Sequence, residues 1–351
     1  NLIAAFGSSS LRLAYALALS DLILAPATPS NTARVGGVIM PITTSLAKAF
    51  GSEPQDGPRK IGSFLMQSIY QVNTITSAMF QTSMAGNTLV AALALQSFGI
   101  GITWGGWAMA AIVPGIIALI IMPYFIYKVY PPEIKDAREA QQMIKEELKG
   151  LGKMSFQEWV MLGVFVLALV LWATSQFTKI DATTVAFLGI SILLATSVLV
   201  WDDVKSEKGA WDTLVWMGTL MGFAGFLSKL GFIKWATVLV GGYIPEGSWI
   251  IAFVIAVLIN TYSHYVFASL TAHISAMFVA FSAIAISAGA PPMLTLLMIA
   301  FTSNLCMSLT HYAAGPSPVI FNTGYVPQNA WWKLGFFSSV INLIIFVGLG
   351  S

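Results

Sequence analysis

The sequence predicts an all-α polytopic membrane protein made of two related halves, and three observations carry that prediction. Charged residues make up only 9% of the 351-residue chain against 57% hydrophobic, where a soluble domain carries roughly 25% charge. Two long stretches, 61–127 and 247–332, contain no Asp, Glu, Lys or Arg. Polar interruptions rich in glycine and proline recur in the same order in both halves. The composition excludes a soluble enzyme, a disordered chain and a nucleic-acid binder. Seventeen basic against fifteen acidic residues leave no excess for a polyanion. The single cysteine, Cys306, excludes a disulfide framework and a metal site built from cysteines. Apolar runs of this length are helical, because only helices and closed barrels satisfy the backbone in lipid. Barrel strands would alternate in polarity every second residue, and these runs do not.

Taken in order, the chain opens inside an apolar segment, so further spans are expected upstream. Residues 22–41 then hold Pro26, Pro29, Gly36, Gly37 and Pro41 around Ser30, Asn31 and Thr32, a pattern that breaks helix at membrane depth. A polar connector follows at 48–60. The stretch 61–127 has room for about three spans of roughly 20 residues, with a polar island at 82–88 (TSMAGNT). Residues 128–153 carry six of the seventeen basic residues. Within them, 132–151 reads as an amphipathic helix started by Pro131–Pro132, on the cytoplasmic side by the positive-inside rule. Further spans are expected at 156–177, 183–200 and 214–230, with a mixed-charge connector at 202–212. Gly218, Gly222 and Gly225 in the third suggest close helix packing. The stretch 247–332 has room for about four elements, broken at 308–318 (SLTHYAAGPSP), and a last span covers 334–349. Trp104, Trp107, Trp331 and Trp332 flank apolar runs and read as interfacial residues.

A short repeat relates the halves. SNTAR at 30–34 and SLTAH at 269–273 both fit S-x-T-A-basic. Each lies in a re-entrant-like stretch, and each is followed by a second polar break. Two inverted repeats follow from this pattern. The first repeat, 1–127, contains a hairpin, a broken helix and a following span. Residues 128–155 are a cytoplasmic connector. The second repeat, 156–351, has its hairpin near 263–287 and its broken helix near 295–325. Hairpin tips and broken helices offer helix N-termini with partial positive charge, and Ser, Thr and Asn add short neutral donors. Two such tips suit a small di-acid with a carboxylate at each end. Arg34 and His273 occupy matching positions past the two motifs and are candidate cations for such an anion, with an ion pair to Asp21 as the alternative for Arg34. Asn87 in the first break and Thr310 in the second are further candidates. His311 is a weaker one, Asn304 reads like Asn87 with helix packing as its alternative, and His264 reads more readily as a structural residue.

The segments at 28–42 (TPSNTARVGGVIMPI), 51–66 (GSEPQDGPRKIGSFLM), 264–273 (HYVFASLTAH) and 309–327 (LTHYAAGPSPVIFNTGYVP) resemble the divalent anion/sodium symporter family. The nearest branch is the dicarboxylate exchangers, which include bacterial citrate/succinate and tartrate/succinate antiporters and the chloroplast 2-oxoglutarate/malate translocator. The resemblance implies a homodimer with a scaffold and a mobile transport domain, working by an elevator movement. It implies that Ser30, Asn31 and Thr32 form one anion clamp and Ser269 and Thr271 the other, where Leu270 departs from the family's amide. It implies 2-oxoglutarate, malate, succinate, citrate or tartrate as substrate, a lipid bilayer and a second copy as partners, and no organic cofactor. The membrane is expected to be a cell inner (plasma) membrane, or alternatively a chloroplast inner envelope. Arg34 and His273 suggest sodium-independent antiport, with fixed cations replacing bound Na⁺; the alternative is sodium-coupled symport. No catalytic residue and no catalytic metal is expected. The stretch 247–332 has no acid to orient a Ser269–His273 pair, and no HExxH or GxSxG motif is present.

Overall fold

The computed structural model describes residues 7–138, 142, 150, 152–231, 235 and 249–350. Among the described residues there is no β-strand, only an isolated bridge between Ser9 and Asp136. Seven helical stretches are long and apolar enough to cross a membrane.

The first hairpin descends as α1 (Ser10–Leu24), with Ser9 accepting from the Arg12 N–H at 3.3 Å as N-cap. Pro26 ends it in a 3₁₀ turn, Ala25–Ala27. The chain turns through Thr28 to Ser30 and re-enters helix as α2 (Asn31–Arg34), a π-helical turn (Val35–Ile39) and α3 (Met40–Ala49). The π turn lies just before Pro41, whose ring crowds the carbonyl four residues back.

The first broken helix is α4 (Gly62–Met79), a break over Phe80 to Met84, and α5 (Ala85–Phe98). Every residue of α4 is buried, including Gln67, Gln71, Asn73, Thr74, Thr76 and Ser77, so a polar helix runs through the middle of an apolar protein. Gly99, left-handed at φ 70°, closes α5. The long helix α6 (Trp104–Val129) follows. Helices α7 (Phe156–Ala173), α8 (Ala182–Ala195) and α9 (Lys208–Lys229) come next. Much of their described surface is exposed and apolar, as at Val166, Val170, Phe187, Leu214 and Phe226.

The second hairpin repeats the first: α10 (Trp249–Ser263), a 3₁₀ turn (His264–Val266), an extended tip at Phe267 to Ser269, and α11 (Leu270–Ser287). Its broken helix is α12 (Pro292–Leu305), a 3₁₀ turn (Cys306–Leu309), an extended Thr310 and the short α13 (Pro316–Phe321). Helix α14 (Gln328–Gly350) ends the chain.

The two halves interlock. Helices α1 and α3 pack on α4, and α10 and α11 on α12, each hairpin against its own broken helix. Each hairpin also leans on the other half: α2 packs on α13, and α11 on α5. Two glycines make close approaches possible. A Cβ at Gly86 would lie 2.7 Å from the Ile274 side chain, and one at Gly335 would lie 2.2 Å from the Ser308 carbonyl oxygen.

Several expectations need correction. The second hairpin, expected near 263–287, also has an arm ahead of its tip, α10, described from Trp249; that arm is uniformly apolar, so only the polar tip stands out in the sequence. Pro131–Pro132 does not start a helix. Residues 131–137 are irregular, and Ser10 N–H donates to the Lys135 carbonyl at 3.0 Å. Most of the remaining expected helix, to 151, lies outside the described residues. Trp104, Trp107 and Trp331 are buried, not interfacial. Their indoles serve the core: Trp107 Nε1 donates to the Ala78 carbonyl at 2.8 Å, Trp104 Nε1 to Thr82 Oγ1 at 2.9 Å, and Trp331 packs on Tyr70 with centroids 4.4 Å apart. Among the described residues, an added Cβ at Gly218 or Gly222 would meet nothing within 4 Å.

Candidate functional site

The S-x-T-A repeat is a pair of helix N-caps. Ser30 Oγ accepts from the Ala33 N–H at 3.1 Å, and Ser269 Oγ accepts from the Ala272 N–H at 3.3 Å. The first main-chain helical bonds also match, Arg34 N–H to the Ser30 carbonyl and His273 N–H to the Ser269 carbonyl. The motif thus spells out a helix start: a serine hydroxyl caps the third residue, which leaves the earlier N–H groups without helical partners. Burial follows the same order in both tips. Ser30 and Ser269 are exposed, Asn31 and Leu270 buried, Thr32 and Thr271 half-buried, Ala33 and Ala272 exposed, Arg34 and His273 buried. The hydroxyl face of each tip is therefore accessible, and the basic residue sits behind it.

Arg34 is not an unpaired cation. Its Nε donates to Asp21 Oδ1 at 2.9 Å, with side-chain exposures of 0% and 2%. Its remaining donors reach the carbonyls of Thr28 (3.1 Å) and Ser83 (3.0 Å) and the hydroxyls of Thr76 (3.3 Å) and Ser77 (3.2 Å). Thr76 also donates to Asp21, and Asn73 Nδ2 lies 3.4 Å from the same carboxylate. The pair stitches the first hairpin tip to the first break. This is the ion-pair alternative raised for Arg34: its donors are all directed at protein acceptors.

Asn87 is likewise occupied. Its Nδ2 donates to the carbonyls of Ser77 (2.8 Å) and Phe80 (2.9 Å), and its Oδ1 accepts from Asn304 Nδ2 at 2.7 Å. One amide pair therefore joins the two broken helices beside their breaks. Tyr70 holds the second break from α4: its hydroxyl lies 2.7 Å from Ser317 Oγ and donates to the Met307 carbonyl. Asn31 Nδ2 faces Met307 Sδ at 3.6 Å. Thr32 abuts Gly315, where an added Cβ would lie 2.1 Å from Thr32 Oγ1. The first tip is thus pressed against the second break.

In the second half, His273 Nε2 lies 3.1 Å from Ser263 Oγ, and His264 Nε2 lies 2.9 Å from the Ala313 carbonyl. Thr310 is buried and its hydroxyl has no partner. His311 accepts from Trp332 Nε1 at 3.0 Å. Sequence reading missed Tyr70, Ser263 and Met307. A tyrosine and a methionine in apolar runs give no signal of their own, and the role of Ser263 depends on a turn the sequence does not mark.

Paired hairpin tips beside paired broken helices, with seven membrane-length helices among the described residues, define a polytopic α-helical membrane transporter. The chain belongs to the family described as "Sodium:sulfate symporter transmembrane region", whose model matches residues 1–351. This is a family of transporters, not of enzymes. The chain is 50% identical over 347 residues to the putative malate transporter YflS of Bacillus subtilis, covering 99% of this chain and 73% of that protein. It is 45% identical over 351 residues to dicarboxylate transporter 1, chloroplastic, of Spinacia oleracea, covering 99% of this chain and 61% of the relative. It is 41% identical over 350 residues to the inner membrane protein YbhI of Escherichia coli, covering 99% and 73%. The chain therefore spans between three-fifths and three-quarters of the length of these relatives.

Proposed function

We propose that the protein exchanges small dicarboxylates across a membrane without sodium, by an elevator movement of its hairpins and broken helices. The observation that carries this is the matched pair of tips, each with an accessible capped serine, a half-buried threonine and a basic residue behind. Ser30, Thr32, Ser269 and Thr271, with the free N–H groups of their helix starts and the Asn31 amide, take the two carboxylates. The Thr310 hydroxyl serves as a further donor. Arg34 and His273 act from behind the tips rather than by contact. The names of the relatives support malate and related dicarboxylates as substrates.

Sodium independence follows from what Arg34 occupies. A hard cation at the first tip would need a cage of oxygens, and the oxygens gathered there, from Thr28, Ser83, Thr76 and Ser77, already face the guanidinium. Exchange follows from the empty state. Without a bound anion, the tips carry unpaired N–H groups and hydroxyls into an apolar barrier, at several kcal/mol per unsatisfied group. An anion is then needed in both directions. The reading also takes a homodimer as the working unit and an inverted relation between the halves.

The test is uptake of labelled malate into liposomes over a panel of internal carboxylates, with and without a sodium gradient. Uptake that requires internal dicarboxylate and ignores sodium is expected. Uptake driven by sodium into liposomes empty of substrate overturns the reading.

A further inference from the structure

Beneath the second tip, two histidines and the cysteine converge, and nothing in the transport reading uses them together. His264 lies in the 3₁₀ turn of the tip, His273 on α11, and Cys306 is the first residue of the second break. All three are buried. One ring nitrogen of each histidine and the Cys306 Sγ lie within 4.8 Å of one another, and the imidazoles cross at 71° with centroids 4.8 Å apart.

The hydrogen bonds around them fix which atoms are free. A carbonyl oxygen can only accept, so His264 Nε2 carries the hydrogen it gives to Ala313. Ser263 directs its only hydroxyl hydrogen at the Asn260 carbonyl, 3.0 Å away. With the hydroxyl hydrogen placed there, Ser263 Oγ is free to accept from His273 Nε2, 3.1 Å away, which is the tautomer that leaves Nδ1 bare. In a neutral imidazole the other nitrogen is a bare lone pair. Both Nδ1 atoms are buried without a hydrogen-bond partner. A buried acceptor left unsatisfied destabilises the fold, so two orphaned lone pairs beside a thiol call for an occupant. The arrangement also resembles a metal site's supporting layer, with each histidine bonded through Nε2 to a carbonyl or hydroxyl while its Nδ1 has no protein partner.

We propose that His264, His273 and Cys306 bind a divalent cation of the zinc class. Two imidazoles and one thiolate suit zinc or cadmium and do not suit an alkali or alkaline-earth ion, which takes oxygen ligands. Bond lengths of about 2.0–2.3 Å in a tetrahedral site put ligand atoms roughly 3.3–3.7 Å apart. The three atoms therefore need to close by about an ångström, within reach of side-chain rotation. On binding, the Cys306 thiol releases its proton to solvent and its sulfur donates the freed lone pair to the ion. Two histidine nitrogens complete three positions, and a water takes the fourth. The bound ion ties the second tip to the second break and holds the loaded and empty hairpins in one arrangement, so exchange slows. This role is separate from carboxylate binding and does not depend on which anion is carried.

The experiment is metal binding by the purified, tag-free protein in detergent, with zinc and cadmium as probes. One equivalent per chain is expected. With cadmium, the ultraviolet thiolate-to-metal charge-transfer band appears in the wild type and is lost in Cys306→Ser. His264→Gln keeps a donor for Ala313 but removes Nδ1, and is expected to bind at least about tenfold more weakly. Dicarboxylate exchange by Cys306→Ser stays at the wild-type rate and becomes insensitive to added zinc. No stoichiometric binding by the wild type, binding by Cys306→Ser equal to the wild type, or a cadmium complex without the thiolate band overturns the proposal.

Discussion

Replacing Asp21 with asparagine isolates the energetics of the first tip. The substitution keeps the shape of the side chain and removes its charge, leaving the Arg34 guanidinium with no anion in an environment where neither side chain is more than 2% exposed. Breaking a buried pair from one side costs about 3–5 kcal/mol, because the remaining charge stays desolvated. At about 1.4 kcal/mol per factor of ten, this lowers the folded-to-unfolded ratio by roughly two to three and a half decades. The carbonyls of Thr28 and Ser83 still receive hydrogen bonds from Arg34, which favours the lower part of that range. Equilibrium unfolding in detergent micelles measures the loss, and a double-mutant cycle with Arg34→Met isolates the coupling. The double variant should be less destabilised than the sum of the two single variants. An Asp21→Asn protein as stable as the wild type would refute the assignment of Arg34 as a structural cation, as would strict additivity.

Other substitutions test the rest of the site. Gly315→Ala places a methyl 2.1 Å from Thr32 Oγ1; it should raise the KM for dicarboxylate by displacing Thr32, with folding retained, and an unchanged KM would remove Thr32 from the binding face. Asn87→Ala removes the amide pair with Asn304 and one donor each to the Ser77 and Phe80 carbonyls, while Asn304 keeps the Ala300 carbonyl and Ser83 keeps both carbonyls; at about 1 kcal/mol for each lost bond, melting of the purified variant should fall, whereas melting at the wild-type temperature would show that the two breaks do not depend on each other. Tyr70→Phe removes the hydroxyl's bonds to the Met307 carbonyl and to Ser317 Oγ, leaving Ser317 only the Ala314 N–H, so exchange should slow and amide hydrogen exchange at 306–317 should quicken. Gly335→Ala drives a methyl into the Ser308 carbonyl at 2.2 Å, where overpacking costs about 1–3 kcal/mol or more, visible as reduced yield and melting temperature.

The sequence made the helical class, the two tips and the two breaks legible, because each rests on local chemistry. Proline and glycine end helices wherever they occur, and S-x-T-A caps a helix start in both halves. What it could not show was which partner a polar side chain meets across the fold. Asn87 and Arg34 looked like ligands because each is polar in an apolar stretch. Their partners, Asn304 and Asp21, lie 217 and 13 residues away, and no local pattern distinguishes a satisfied amide from a waiting one. The buried tryptophans were misplaced for the same reason: an indole beside an apolar run suits an interface or a core equally well. The first arm of the second hairpin was hidden because α10 carries the apolar pattern of an ordinary span.

The crosswise packing of the halves has a consequence for biogenesis. As the chain leaves the ribosome, α2, α4 and α5 enter the membrane with Thr32, Tyr70 and Asn87 lacking the groups they finally contact, since Gly315, Met307 and Asn304 are made more than two hundred residues later. The nascent first half must shelter those polar atoms with insertion factors or trapped water until those residues have been made. A ribosome stalled before Asn304 would leave a product that quality-control proteases can tell from a finished carrier by its unsealed middle.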